Sequence, residues 1–167
     1  PFYREGAGSV VVVRGRKGSM SKPRTLILDK DEPDLLVRGH RGSRLGERIA
    51  AIDLDGEGGL ELLMSAPLRD SGRTKETGAV HALQWPSSKS INLGRSRDIR
   101  ELATYRGQVA HEQIGGGLAA VAMNGKGVND VVIGSPRVGR IIWLLDPPGF
   151  DPNPRPSGYK MAAGAGA

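Results

Sequence analysis

The sequence contains no cysteine, so neither disulfide bridges nor thiolate metal sites contribute to its structure. Aromatic residues make up only 4% of it, and no apolar stretch approaches the roughly 18 residues that a membrane-spanning helix needs. The 167 residues do include 25 glycines and 11 prolines, which interrupt helices and permit tight turns. This balance favours an all-β chain of short strands, with no transmembrane segment.

The formal net charge is +6, which raises the question of a polyanionic partner. Basic residues are interspersed with acidic ones along the chain, and no aromatic stacking platform accompanies them. The charge distribution therefore predicts a solvated, arginine-rich surface and no nucleic-acid binding.

An internal repeat organises the chain. Residues 45–67 align without a gap on residues 114–136, an offset of 69 residues, with the glycines, the proline and the apolar runs kept in register. Each repeat predicts four short strands, which in the first unit are 34–39, 47–53, 60–66 and 78–85, and in the second are 102–107, 117–123, 130–135 and 139–145. Their Val, Ile and Leu content suits strands, and strands apolar on both sides indicate sheets that pack face to face.

A four-stranded antiparallel sheet per repeat, covered on both faces, is typical of a β-propeller blade. A parallel β-helix is the alternative, whereas a β-sandwich would not explain the repeat. Four segments are predicted: 1–33, with the last strand of a preceding blade at 8–14; the blades 34–86 and 87–145; and a Pro/Gly-rich tail 146–167, extended or disordered unless a partner orders it. Two blades and one strand do not close a propeller, which needs about four to eight.

Three strings carry a family resemblance: Leu45-Gly46, Asp53-Leu54-Asp55-Gly56-Glu57-Gly58 and Ser65-Ala66-Pro67. They resemble the FG-GAP repeats of integrin α-subunit propellers, which also occur in the carboxyl-terminal half of glycosylphosphatidylinositol-specific phospholipase D. The resemblance implies further blades on the same precursor or on other subunits, a protein or glycan ligand, and an extracellular or cell-surface location. It also allows an accessory role in a phospholipase D-like hydrolase; a basic subunit of a larger assembly is a third possibility.

The acidic loop of the first repeat has oxygen-bearing side chains at alternating positions: Asp53, Asp55, Glu57 and Glu61, with the Gly59 carbonyl between them. Hard Ca²⁺ takes six to eight such oxygens, and the stricter octahedral geometry of Mg²⁺ fits less well. An EF-hand is excluded, because its twelfth position would be Met64, within a strand. The loop is predicted to bind one calcium ion, as in the family it resembles; the alternative is an acidic hairpin without metal.

The second repeat replaces this donor set with Ala122, Asn124, Lys126 and Asp130. An ammonium group at Lys126 would repel a cation and pair with Asn124 and Asp130. We expect this loop to hold no metal, with Lys126 standing in for the ion.

No catalytic residues are predicted in the chain, although its parent protein could be a hydrolase. His40 and His111 precede the two aligned blocks, where turn roles are expected. His81 is predicted to point away from the apolar face of its strand. Neither Ser65 nor Ser135 lies in a Gly-x-Ser-x-Gly turn.

Overall fold

The computed structural model describes residues 5–15, 33–54, 58–84, 90–93, 102–121, 130–144 and 160–163. Within these ranges the chain forms β-strands and one short 3₁₀ turn, Pro136–Val138. The strands are β1 (Ser9–Val12), β2 (Leu35–Arg38), β3 (Ile49–Ile52), β4 (Glu61–Ala66), β5 (Ala79–Leu83), β6 (Ser90–Asn92), β7 (Leu102–Arg106), β8 (Gly117–Val121), β9 (Asp130–Ser135), β10 (Arg140–Leu144) and β11 (Lys160–Ala163). The prediction of an all-β chain is confirmed. No described helix has the length and apolar character to cross a bilayer.

The described strands form three sheets. The first has the order β1-β2-β6, with β1 antiparallel and β6 parallel to β2. The second, β3-β4-β5-β7, and the third, β8-β9-β10-β11, are each four-stranded and antiparallel throughout. These two sheets confirm the predicted blade type.

The strands are grouped into sheets differently from the sequence prediction. Residues 34–39 were expected to start the sheet that contains β3, β4 and β5, but β2 pairs with β1 in the preceding sheet. The fourth strand of the second sheet is β7, which the sequence assigned to the next unit. Because β4 already occupies one edge of β5, the other edge is open to β7, which pairs antiparallel with it. The strand between them in the chain, β6, pairs with β2 in the first sheet. A repeating sequence does not reveal this, since every choice of starting strand has the same period.

Two loops carry the chain from one sheet to the next: the first junction loop, residues 39–46, and the second junction loop, residues 107–115. Both make the same backbone hydrogen bonds, so the repeat seen in the sequence is also a repeat in three dimensions. The bonds are Gly39 N to Gly8 O (3.0 Å), Leu45 N to Ala7 O (2.9 Å) and Gly46 N to Ser65 O (2.8 Å) in the first loop, and Gly107 N to Gly78 O (3.2 Å), Ile114 N to Thr77 O (3.1 Å) and Gly115 N to Gly134 O (3.0 Å) in the second.

Glycine is required where each junction loop meets the neighbouring sheet. Gly46 and Gly115 have φ angles of +90° and +92°, a region that side chains with a Cβ rarely adopt. A Cβ on Gly46 would lie 2.9 Å from Val10 Cγ2, and one on Gly115 would lie 2.9 Å from Ser65 Cβ. These two glycines let the backbone cross between sheets at close range.

The second sheet is covered on both faces. Met64 and Leu63 are adjacent on β4 and point to opposite sides, and both are fully buried. Met64 packs in the cluster between the first and second sheets, and Leu63 in the cluster between the second and third. This packing confirms the prediction that sheets stack face to face through strands apolar on both sides.

The third sheet has one face open among the described residues. Val131, Ile133 and Leu144 are buried against the second sheet, but Ile141 is 57% exposed on the opposite face. The sequence predicted both faces of this sheet to be covered. The predicted tail contributes β11, whose residues 160–163 pair with residues 140–143 of β10.

Candidate metal loop and buried polar groups

The candidate metal loop connects β3 to β4 and is closed by the antiparallel pair Ile52 and Glu61. The Leu54 side chain, buried in the cluster between the second and third sheets, anchors the start of the loop. Asp53 precedes it, and Glu61 is the first residue of β4. Asp53 and Glu61 therefore lie at the same end of the hairpin.

Two carboxylates order the described part of this loop. The Leu54 N–H donates to Glu61 Oε2 at 2.7 Å, and the Gly58 N–H donates to Asp53 Oδ2 at 3.0 Å. Glu61 is only 2% exposed, while Gly59 lies on the exposed side of the loop. An ideal Cβ on Gly59 would be 3.8 Å from Glu61 Oε1, so the backbone at this position passes close to the carboxylate.

The structure places three of the five predicted ligands, Asp53, Gly59 and Glu61, at the same end of the β3–β4 hairpin. The other two, Asp55 and Glu57, lie outside the described residues. The described donors are hard oxygens on a short, glycine-bearing turn, which fits Ca²⁺. Among the residues that the structure describes, no three acidic or histidine side chains gather into a metal-sized cluster.

Asp130 is the counterpart of Glu61 in the second repeat. It begins β9, pairs with Val121 and is fully buried, just as Glu61 begins β4 and pairs with Ile52. The predicted partners of Asp130, Asn124 and Lys126, lie outside the described residues. An acidic residue thus occupies the same buried strand position in both repeats, and the pairing with Lys126 stays a prediction.

His81 is buried between the first and second sheets, so the prediction that it points away from the apolar face is wrong. Its neighbours Val80 and Ala82 pack toward the third sheet, and alternation turns His81 toward the first. Its Nε2 lies 3.3 Å from Arg69 Nη1, and its Nδ1 lies 3.0 Å from Thr104 Oγ1. Since Arg69 can only donate, Nε2 accepts and Nδ1–H donates to the threonine.

Burial and the neighbouring Arg69 charge lower the pKa of His81 to about 3. Burial, together with the charge of Arg106, also lowers the pKa of Arg69 to about 10. The histidine ring is therefore neutral at physiological pH. It acts as an acceptor that positions a guanidinium group.

Glu112, in the second junction loop, is a buried charge that sequence reasoning missed. Its Oε2 accepts from the Gln108 and Val109 N–H groups at 2.7 and 3.1 Å, and its Oε1 accepts from Arg140 Nη1 at 2.8 Å. Its side chain is 2% exposed, against 33% for Arg140. The only sequence signal was that Glu112 aligns with Ser43, a polar residue in the first junction loop.

His111 has a φ angle of +59° in the second junction loop, so its predicted turn role is confirmed. Its counterpart at the 69-residue offset is Gly42, with a φ angle of +75°, rather than His40. His111 Nδ1 lies 3.2 Å from Glu76 Oε2.

One curated relative shows significant similarity to this chain. It is the phosphatidylinositol-glycan-specific phospholipase D of Bos taurus, 31% identical over 130 residues. The match covers 77% of this chain but only 14% of the bovine protein. A scan against protein-family models finds no match. The similarity makes the chain a distant, partial relative of that phospholipase D, and the FG-GAP assignment remains a resemblance of motifs.

Proposed function

We propose that this chain is a noncatalytic segment of an FG-GAP-type β-propeller that serves as a binding module for a protein or a cell-surface glycan. The open face of the third sheet supports the propeller part of this proposal. Apolar side chains on that face are exposed to solvent, Val121 to 38% and Ile141 to 57%. A folded domain rarely leaves such a face uncovered, because burying apolar area is its main source of stability.

The open face repeats, position by position, the face of the second sheet that packs on the third. On the second sheet the residues are Ala50, Ile52, Leu63, Val80 and Ala82, all packed in the cluster between these sheets. Their counterparts on the third sheet are Ala119, Val121, Val132, Ile141 and Trp143. Because equivalent surfaces take equivalent partners in a repeat protein, the occupant we propose for the open face is another blade of the same kind.

Calcium binding to the candidate metal loop is the second part of the proposal. Asp53 and Glu61 already hold the loop backbone through hydrogen bonds, and Ca²⁺ would be held by Asp53, Asp55, Glu57, Glu61 and the Gly59 carbonyl. A bound divalent cation would offset the charge of four neighbouring carboxylates. It would thereby fix the end of the β3–β4 hairpin.

The thermal midpoint of the full chain, measured with and without CaCl₂, tests this site. We expect calcium to raise the midpoint and Asp53→Asn to abolish most of the rise. Asp70→Asn is the matched control, because Asp70 lies in another loop, where it contacts Lys75 at 2.7 Å. An equal calcium response in Asp53→Asn and the wild type would contradict the site.

The binding role is tested on the longer protein that carries this chain, labelled and applied to cells. We expect saturable binding that falls after the cells are treated with protease or glycosidase. Binding that does not saturate, or that survives both treatments, would refute a protein or glycan ligand.

The similarity to the bovine protein favours a more specific alternative: an accessory part of an enzyme that cleaves phosphatidylinositol-glycan. In that case the longer protein would hydrolyse such a substrate and this chain alone would not. Hydrolytic activity of the isolated chain would contradict a noncatalytic role. A longer protein that does not hydrolyse the substrate would exclude the enzyme alternative.

A further inference from the structure

Two arginines, Arg69 and Arg106, lie on the face of the second sheet that packs against the first sheet. The register of β4, β5 and β7 aligns Met64, His81 and Thr104 in one row on this face and Ala66, Ala79 and Arg106 in the next. Arg69 follows β4 and returns to the same face, where it contacts His81. Arg106 is exposed at the end of the second row.

Arg69 has no carboxylate partner within the described chain. Its guanidinium, half-buried, has five N–H donors, and the acceptor described for its side chain is His81 Nε2. The two nearby acids are engaged elsewhere: Asp70 contacts Lys75 at 2.7 Å, and Glu76 accepts from Gln113 at 2.7 Å.

A second positive charge makes the lack of a counter-charge more costly. Burial is the main cause of the lowered pKa values of Arg69 and His81, and the charge of Arg106 lowers both further. A half-buried cation is normally compensated by an anion, because removing it from water has a high cost. Within the described residues no carboxylate contacts either arginine, so an anion from solution fits this position.

We propose that Arg69 and Arg106 bind a tetrahedral oxyanion, a phosphate or a sulfate, at the edge of the interface between the first and second sheets. His81 Nε2 accepts a hydrogen bond from Arg69 and so positions its guanidinium, and Thr104 holds the ring of His81 through Nδ1. The planar guanidinium presents paired N–H donors that match two oxygens of such an anion. Arg106, which is exposed to solvent, supplies the second positive charge at the side from which the anion would enter.

The thermal midpoint of the full chain tests the site, with inorganic phosphate, inorganic sulfate and glycerol phosphate as separate ligands. Sodium chloride at equal ionic strength controls for screening. When the anion concentration is about five times the dissociation constant, binding should raise the thermal midpoint by about 2 to 4 °C. We expect Arg106→Gln and Arg69→Gln to lose this rise.

Arg41→Gln is the matched control, because Arg41 is 79% exposed in the first junction loop and pairs with Glu5. It should keep the full response. Arg106 is itself exposed, so Arg106→Gln tests the site even where Arg69→Gln does not fold. A response to glycerol phosphate would show that the site accepts an esterified anion, and a response to inorganic anions alone that it accepts only the free ion.

The proposal is overturned if chloride gives the same rise as phosphate and sulfate, or if Arg106→Gln responds like the wild type. An independent readout is the ring-proton NMR signal of His81. Anion binding should raise the pKa of His81 from its value of about 3, since the negative charge offsets the two guanidinium charges. An unchanged His81 titration in saturating phosphate would contradict the site. None of these outcomes depends on calcium or on a further blade.

Discussion

Burial keeps the His81 ring neutral in the folded chain. Its pKa is lowered from 6.5 to about 3, first by burial and then by the Arg69 charge. The unfolded chain would protonate the same ring near pH 6.5. Since only the unfolded state binds this proton, its contribution to stability is complete above pH 6.5 and is lost as the pH falls toward 3.

We therefore expect the free energy of unfolding to fall between pH 6.5 and pH 4, with His81 contributing at most about 1.4 kcal/mol per pH unit. His81→Gln should flatten this slope, whatever its effect on stability at pH 7. Urea unfolding at several pH values in this range measures it. His111→Gln is the control, with a ring 65% exposed. A slope unchanged in His81→Gln but reduced in His111→Gln would contradict this account.

Glu112 is the second buried polar residue that we expect to contribute to stability. Glu112→Gln keeps the shape, but its amide nitrogen must face either the Gln108 and Val109 N–H groups or Arg140, all of them donors. We expect a loss of about 3 kcal/mol in the free energy of unfolding, measured with urea at pH 7.

Arg41→Gln breaks an exposed ion pair with Glu5 and should cost less than about 1 kcal/mol. Equal losses in the two variants would show that burial of Glu112 does not decide its contribution.

At the scale of single elements, the junction loops decide how closely the sheets approach. Gly115→Ala places a Cβ 2.9 Å from Ser65 Cβ and 3.0 Å from Val80 Cγ2, at a φ angle of +92°. Backbone strain and overlap together should lower the free energy of unfolding by at least about 2 kcal/mol. Gly15→Ala, where a Cβ meets nothing within 4 Å, should change it little. Thermal or urea unfolding of both variants measures this difference in the free energy of unfolding.

Nine of the eleven described strands could be predicted from the sequence, because turn residues and apolar runs are local signals; β6 and β11 were not predicted. Strand membership in a sheet could not, because β7 joins β5 through a contact that no local pattern encodes. Asp53 and Glu61 were found at the same end of one hairpin since residue spacing fixes that placement. The Arg69–His81 and Glu112–Arg140 pairs join different strands and loops, so they became visible only once the sheets were in place.

At the scale of the whole molecule, the three sheets that the structure describes stack through two junctions of the same design. Each junction uses a positive-φ glycine, Gly46 or Gly115, to deliver the chain to the next sheet. When each sheet is related to the next by the same rotation and translation, the last sheet exposes the face that the earlier sheets bury. The open face of the third sheet is that face. Continuing the operation gives a propeller segment, in which each added blade buries the face left by the previous one.

This continuity predicts that one substitution has different effects on the thermal midpoint in two settings. Ile141→Lys places a charge on the open face, where Ile141 is 57% exposed. In this chain alone it should leave the thermal midpoint nearly unchanged and reduce concentration-dependent self-association, measured by sedimentation. In a longer protein with a further blade on this face, the lysine would be buried without a partner, and the midpoint should fall by several degrees.

Val109→Lys is the control for both settings, because Val109 is 49% exposed in the second junction loop, away from this face. It should be neutral in the short and the long protein. If Ile141→Lys is also neutral in the longer protein, the face is open to solvent and no blade packs on it. Ile141 would then lack the packing role that its counterpart Val80 has on the second sheet. The stacking of sheets would end with the third sheet.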